Sequence, residues 1–250
     1  MRLLKLDHHG VLSLTGDLRG KAIPPYAILS HTWGPDTDEV TFQDIDGGTW
    51  KDKPGYEKLK FCAKQAKRDH LEYFWVDTCC IDKRNMTELS EAITSMFRWY
   101  RDSKRCYVYL SDTSITRREQ TSDRSLWEPA FRESRWFTRG WTLQELIAPT
   151  SVELFTREGF SLGDKSILER QIHEITGIAI PALQGEPLRE FGVDERFKWA
   201  ETRQTTREED WAYCLVGIFG VSMPLLYGED RSNALSKEIV ALYEKSSIIA

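Results

Sequence analysis

The sequence predicts an α/β fold, a parallel sheet flanked by helices and followed by a mainly helical extension. Three observations predict it. Four short apolar runs, Tyr26–Leu29, Tyr73–Val76, Cys106–Leu110 and Val152–Phe155, have the length and composition of buried strands. Segments of helical periodicity separate them, and that alternation is the pattern of a parallel sheet with crossover helices. Beyond residue 160 the periodic segments are helical. A chain of 250 residues is long enough for one large α/β domain, or for a core carrying a helical lobe.

Taken in order, the first strand follows Pro24-Pro25 and runs into Ser30-His31-Thr32-Trp33-Gly34-Pro35, which reads as a polar-aromatic loop. Pro54 suits the first turn of a helix whose apolar face is Leu59, Cys62, Ala63 and Ala66. The second strand leads to Asp77-Thr78-Cys79-Cys80. The helix after it has Glu88 and Glu91 near its start, where the macrodipole favours acids, and a stripe of Leu89, Ile93, Met96, Phe97 and Tyr100. Past the third strand come a polar stretch, Ser111 to Arg124, and a helical segment that Pro149 must end or kink. In the extension Leu168, Ile172 and Ile175 form a helix face stopped by Gly177. Thr206 and Glu209 have capping-box spacing ahead of Trp211, Cys214, Leu215 and Ile218. Gly220 to Gly228 reads as an apolar loop packed on the core, and Leu235, Ile239 and Leu242 define a last helix. The expected division is a core over 1–160 and a helical extension over 161–250, packed on it. The abrupt apolar end, Ile248-Ile249-Ala250, is expected to be a boundary inside a longer chain.

Composition narrows the function. Lys plus Arg is 34 against 39 Asp plus Glu, a net charge of −5, which argues against a nucleic-acid binder held by phosphate contacts. No apolar run approaches the ~20 residues of a membrane span, and the N-terminus lacks a secretory signal. Five cysteines, without a Cys-x-x-Cys or a histidine at zinc-ligand spacing, point to reduced thiols and a cytoplasmic location. Gly16-Asp17-Leu18-Arg19-Gly20-Lys21 is one residue short of a P-loop, and no Gly-x-Gly-x-x-Gly occurs.

In folds of this class functional residues lie outside the carboxyl ends of the strands, which gathers Ser30–Trp33, Asp77–Asp82 and Ser111–Asp112 on one edge. Cys79 or Cys80 with His31 has the residue types of a thiolate–imidazole pair, although adjacent cysteines after a buried strand are more often core fillers. Asp77 and Asp82 can hold a metal ion or serve as caps, and His173 on a helix is expected to face solvent. The segment Arg135 to Pro149 is the most informative. If Trp141 to Ala148 is helical, Leu143, Leu146 and Ile147 point inward, while Trp141 and Glu145, four apart, share another face. Glu145 beside an indole, with Arg139 near in sequence, is a candidate tuned carboxylate; a surface Arg139–Glu145 ion pair is the plain alternative.

Pro25 to Gly34 resembles the opening motif of the fungal heterokaryon incompatibility (HET) domain. Phe74 to Lys83 with Glu88 to Ile93 resembles its second block, Arg135 to Pro149 its third, and Arg207 to Asp210 through Pro224 to Glu229 a further one. The resemblance implies a cell-death effector of vegetative incompatibility. It also implies self-association on activation, with NACHT and WD40 sensor modules in the same full-length chain. The domain is distantly similar to TIR domains, flavodoxin-like parallel sheets of which many cleave NAD⁺ with the glutamate of a Trp-Cys-x-x-Glu-Leu motif. Trp141-Thr142-Leu143-Gln144-Glu145-Leu146 keeps the Trp-to-Glu spacing, with Thr142 in place of the cysteine.

That likeness implies Glu145 as catalytic carboxylate and NAD⁺ as candidate substrate, with no cofactor required and no metal. Ser30, His31 and Trp33 would bind the ribose or stack on a ring, Asp77 and Arg139 would orient hydroxyls or phosphates, and Trp141 would exclude water. A single acid suits the reaction. The nicotinamide leaves as a neutral ring without a general acid, so the site must stabilise an oxocarbenium-like ribosyl centre. Two alternatives remain open: a non-catalytic module that kills by recruiting partners through homotypic contacts, and a Cys79/Cys80 hydrolase.

Overall fold

The computed structural model describes residues 1–115 and 124–237. Most of the polar stretch between Ser111 and Arg124, the stripe positions Ile239 and Leu242, and the end at Ile248–Ala250 lie outside the described residues.

Seven strands form one sheet. They are β1 (Leu4–Leu6), β2 (Leu12–Leu14), β3 (Tyr26–His31), β4 (Tyr73–Trp75), β5 (Arg105–Leu110), β6 (Val152–Thr156) and β7 (Ser161–Asp164), in the order β2-β1-β4-β3-β5-β6-β7. The four central strands are the four expected ones and run parallel. Both edges are antiparallel: β1 joins β4 and carries β2, and β7 turns back on β6. The sheet is therefore mixed. Sequence periodicity misses the edge strands because three or four residues are too few to show alternation. The division expected at residue 160 falls inside the β6–β7 hairpin.

The helices are α1 (Phe42–Gly47), α2 (Tyr56–Arg68), α3 (Met86–Asp102), α4 (Glu128–Arg132) and α5 (Thr142–Ile147), then α6 (Glu169–Thr176), α7 (Ile180–Leu183), α8 (Val193–Glu201), α9 (Asp210–Tyr213) and α10 (Val216–Phe219). On α2 the expected face of Leu59, Cys62, Ala63 and Ala66 is buried. The Asn85 side chain caps α3 by accepting from the Glu88 backbone N–H, and Gly177, at φ +68°, stops α6 as the sequence predicts. Two local expectations fail. Thr206 and Glu209 make no capping box, because Glu209 turns instead to accept the Gly228 N–H at 2.7 Å. The helical segment before Pro149 is broken into α4, a 3₁₀ turn (Arg135–Thr138) and α5.

β3, β5 and β6 are buried along almost their whole length because helices cover both faces of a parallel sheet. One buried cluster runs from Leu3 to Phe219, so sheet and extension share a single core. In chain order the parallel strands stand 2-1-3-4, beginning with β3 as the first. The chain moves outward from β3 to β4 and then crosses to β5 on the other side of β3. That reversal between β3 and β5 is a topological switch point, where open α/β sheets bind ligands beyond the strands' carboxyl ends.

Candidate active site

A cleft of about 520 Å³ opens beyond the carboxyl ends of β3 and β4, a size suited to a small-molecule site. His31, Trp33, Asp77 and Lys83 line it from the sheet edge, and Arg139, Trp141 and Glu145 from the α5 segment. Leu89, Ile93 and Met96 come from α3, and Arg207, Asp210 and Tyr227 from the extension.

Glu145 is only 6% exposed, which excludes a surface ion pair with Arg139; no salt bridge joins the two among the described residues. Its Oε2 accepts from the Ser30 hydroxyl, and Ser30 Oγ in turn accepts from the Trp136 indole N–H at 2.8 Å. Burial pushes the Glu145 carboxyl up to about 8; the Asp77 charge adds to the rise, while Ser30, Tyr100 and Arg139 oppose it. A carboxyl so poised is protonated near neutrality and ionises readily when a cation arrives.

Ser30 and His31 are not on a loop. They are the last residues of β3, where the ladder to β5 fixes their directions. Ser30 is fully buried and does not line the cleft, so its part is to position Glu145 rather than to touch a ligand. His31 Nδ1 faces the Lys58 ammonium at 3.3 Å, and an ammonium can only donate. Nδ1 therefore accepts, and Nε2–H donates to Asp77 Oδ1 at 3.0 Å. Lys58 also donates to Glu39 and to the Thr32 carbonyl, so this tautomer is held from two sides.

Asp77 also accepts the Trp33 indole N–H at 2.9 Å. Burial works against its ionisation, but the His31 hydrogen bond, the Lys83 ammonium and the Trp33 N–H hold the carboxyl down at about 2. The Lys83 ammonium covers one face of Trp33 at 3.6 Å from the ring centre, leaving the opposite face for any stacking partner. Asp82 is taken up by Gln43 Nε2 and the Arg84 backbone. Among the described residues no group of three or more His, Cys, Asp and Glu is placed to hold a metal ion.

The segment carrying Glu145 is fastened from several directions. Asp112 accepts from Ser134 Oγ and the Arg135 N–H, which anchors the 3₁₀ turn bearing Trp136. Thr142 Oγ1 donates to the Trp136 carbonyl at 2.6 Å and accepts from Arg203 Nη1 at 2.9 Å, so the hydroxyl bridges two buried groups. Gly140 lies against the extension so closely that a Cβ would stand 2.5 Å from Thr205 Cγ2. The Trp141 indole N–H donates to Asp210, which also accepts from the Tyr227 hydroxyl.

The five cysteines are buried free thiols. Burial pushes Cys79 up and Cys80 up to about 12, and Cys79 donates to the Val40 carbonyl. Neither is a thiolate or paired with His31, which answers the hydrolase alternative with the core-filler reading. His173 is exposed, its Nδ1 bonded to the Ile178 carbonyl. Of the residues expected at the site, His31, Trp33, Asp77, Arg139, Trp141 and Glu145 meet around the cleft and Ser30 stands behind it. Lys58, Trp136, Arg203 and Asp210 also belong to this arrangement and are not among the residues expected from sequence. Trp136 and Asp210 lay inside segments already singled out, where the signal was a buried indole or acid with no assigned partner.

Fold and cleft together define an α/β domain with a buried carboxyl, Glu145, in a cleft beyond the carboxyl ends of its parallel strands. Residues 26–129 match the family of heterokaryon incompatibility proteins (HET). The chain is also 58% identical over 237 residues to the vegetative incompatibility protein HET-E-1 of Podospora anserina, a match covering 95% of this chain and 17% of that protein. The chain belongs to the HET family. It spans less than a fifth of the length of that relative. No solved structure gives a significant match. No helix among the described residues is long and apolar enough to cross a membrane.

Proposed function

We propose that this domain is a cytoplasmic cell-death effector of heterokaryon incompatibility that cleaves NAD⁺ at the nicotinamide–ribose bond when sensor modules of a longer chain cluster it. The carrying observation is Glu145, buried beneath the cleft with its carboxyl held near 8 and oriented by Ser30 and Trp136. A pyridinium-bearing substrate brings a positive charge to that carboxyl and favours its ionisation. The resulting carboxylate faces the ribosyl centre as positive charge develops there, in a walled site where the attraction is little screened. Water completes the hydrolysis, and nicotinamide departs neutral without needing a protonating group. The doubly wound order of the parallel strands supports the TIR-like reading, as does the Trp141-to-Glu145 spacing.

The test is nicotinamide release from NAD⁺ by purified protein, followed chromatographically in dilute and in artificially clustered form beside Glu145→Gln. Release that rises with clustering and falls at least about a hundredfold in the folded variant is the expected result. If folded, clustered wild type releases none, the cleavage reading is wrong and homotypic recruitment takes its place.

A further inference from the structure

Three cations line the cleft without an ion-pair partner. Lys83, Arg139 and Arg207 make no salt bridge among the described residues, whereas Arg2, Arg19, Lys53, Lys58 and Arg132 all end on carboxylates. The cleft does not lack acids. Asp77 is engaged by His31 and Trp33, Asp210 by Trp141 and Tyr227, Glu145 by Ser30, and Asp36 stands exposed at the rim. Uncharged donors thus make the hydrogen bonds to Asp77, Asp210 and Glu145, and the cationic heads, near enough to be felt but not ion-paired, keep their N–H groups for something else. Aromatic rings hold two of those heads in place: Lys83 sits over Trp33 at 3.6 Å and Arg207 over Tyr227 at 4.5 Å. Burial pushes the Lys83 ammonium below its usual range although the Asp77 charge pulls the other way, a cost that a further, incoming anion relieves.

We propose that Lys83, Arg139 and Arg207 form an anion subsite that takes the diphosphate of a dinucleotide bound in this cleft. The proposal rests on the cleavage reading for the identity of the ligand, and it adds which residues select it. Two guanidinium forks and one ammonium match the oxygens of a diphosphate, and charge-assisted hydrogen bonds of this kind are the strong ones. With the diphosphate held there, the nicotinamide riboside end reaches toward Glu145 on the floor. A nucleoside or a nicotinamide riboside lacking the diphosphate forfeits the subsite entirely.

The experiment measures equilibrium binding of ADP and of adenosine to the full 250-residue chain by calorimetry, which needs no turnover. ADP is expected to bind at least about tenfold more tightly than adenosine. Arg207→Gln and Lys83→Gln are each expected to weaken ADP about tenfold while leaving adenosine unchanged. Arg207 is exposed, so its variant keeps the fold, which a thermal melt confirms. ADP binding no better than adenosine, including no binding of either, or ADP affinity untouched in both variants, overturns the subsite. The two readings fail separately. Charge-dependent ADP binding without nicotinamide release leaves the subsite standing and removes the cleavage reading. Nicotinamide riboside cleaved as efficiently as NAD⁺ does the reverse.

Discussion

The Glu145 carboxyl couples function to stability. Its folded value of about 8 exceeds the ordinary 4.5, so between those limits the folded chain keeps a proton that the unfolded chain has released. The folded state binding more protons means that this group makes stability fall as pH rises through that window. Below 4.5 both states are protonated and the contribution is flat. Asp77 has the opposite sign: held at about 2, it adds stability above its ordinary 3.8 that is lost only in stronger acid. Glu145→Gln keeps the shape of the side chain and removes the ionisation. The variant is therefore expected to melt above wild type at pH 8.5, by roughly 2–4 °C per kcal/mol relieved, with the gap narrowing towards pH 5. Titrating groups that are not coupled to Glu145 are common to the two proteins and cancel in the difference. Parallel melting curves across this range would show that Glu145 is not held protonated by the fold.

At the scale of elements, the cleft depends on how closely α3 and α10 cross. A Cβ on Gly217 would stand 2.2 Å from Phe97 Cβ, a distance no rotamer change relieves because the clash is with the first carbon of the side chain. Gly217→Ala is expected to cost about 1–3 kcal/mol, read as a lower denaturation midpoint. Gly192→Ala, where nothing lies within 4 Å, serves as the control with little effect. Equal midpoints for the two variants would mean that the crossing has slack. The same face of α3 carries Leu89, Ile93 and Met96 into the cleft, so loosening the crossing loosens the site. Elements of this kind were unevenly legible. The central strands were readable because burial on both faces leaves a continuous apolar run, and α2, α3 and α6 because their buried stripes repeat at helical spacing. The edge strands β1, β2 and β7 were not, being too short to carry a period. The site divides similarly. Glu145, Trp141 and Arg139 sit in one readable segment, but Ser30 reaches Glu145 across 115 residues of chain, and no local pattern encodes such a pairing. The interior role of Ser30, the Lys58–His31 contact and the Asp210–Trp141 bond follow from topology alone.

Across the whole molecule, the sheet supplies one wall of the cleft and the extension the other, and the two cannot be separated without opening the core. Trp199, Leu215, Ile218 and Phe219 belong to the same buried cluster as Trp136 and Leu146. β7, the first element of the extension side, completes the hairpin that covers β6. The extension also holds the Glu145 helix at both ends. Lys165 donates to the Leu146 carbonyl in its last turn and to the Pro149 carbonyl just beyond, and Arg203 donates to the Arg139 carbonyl and to Thr142 Oγ1 at its first. A chain ending at residue 160 loses both fastenings, the hairpin and the apolar partners of the inward face of α5. It leaves a long stripe of buried side chains facing water, which the remaining small core does not offset. Such a chain is expected to show no cooperative thermal transition by circular dichroism, and rapid proteolysis around 135–147 where the 250-residue chain resists. A cooperative melt near that of the longer chain would establish the first 160 residues as a domain in their own right. The cleft would then be the product of docking two units rather than of folding one.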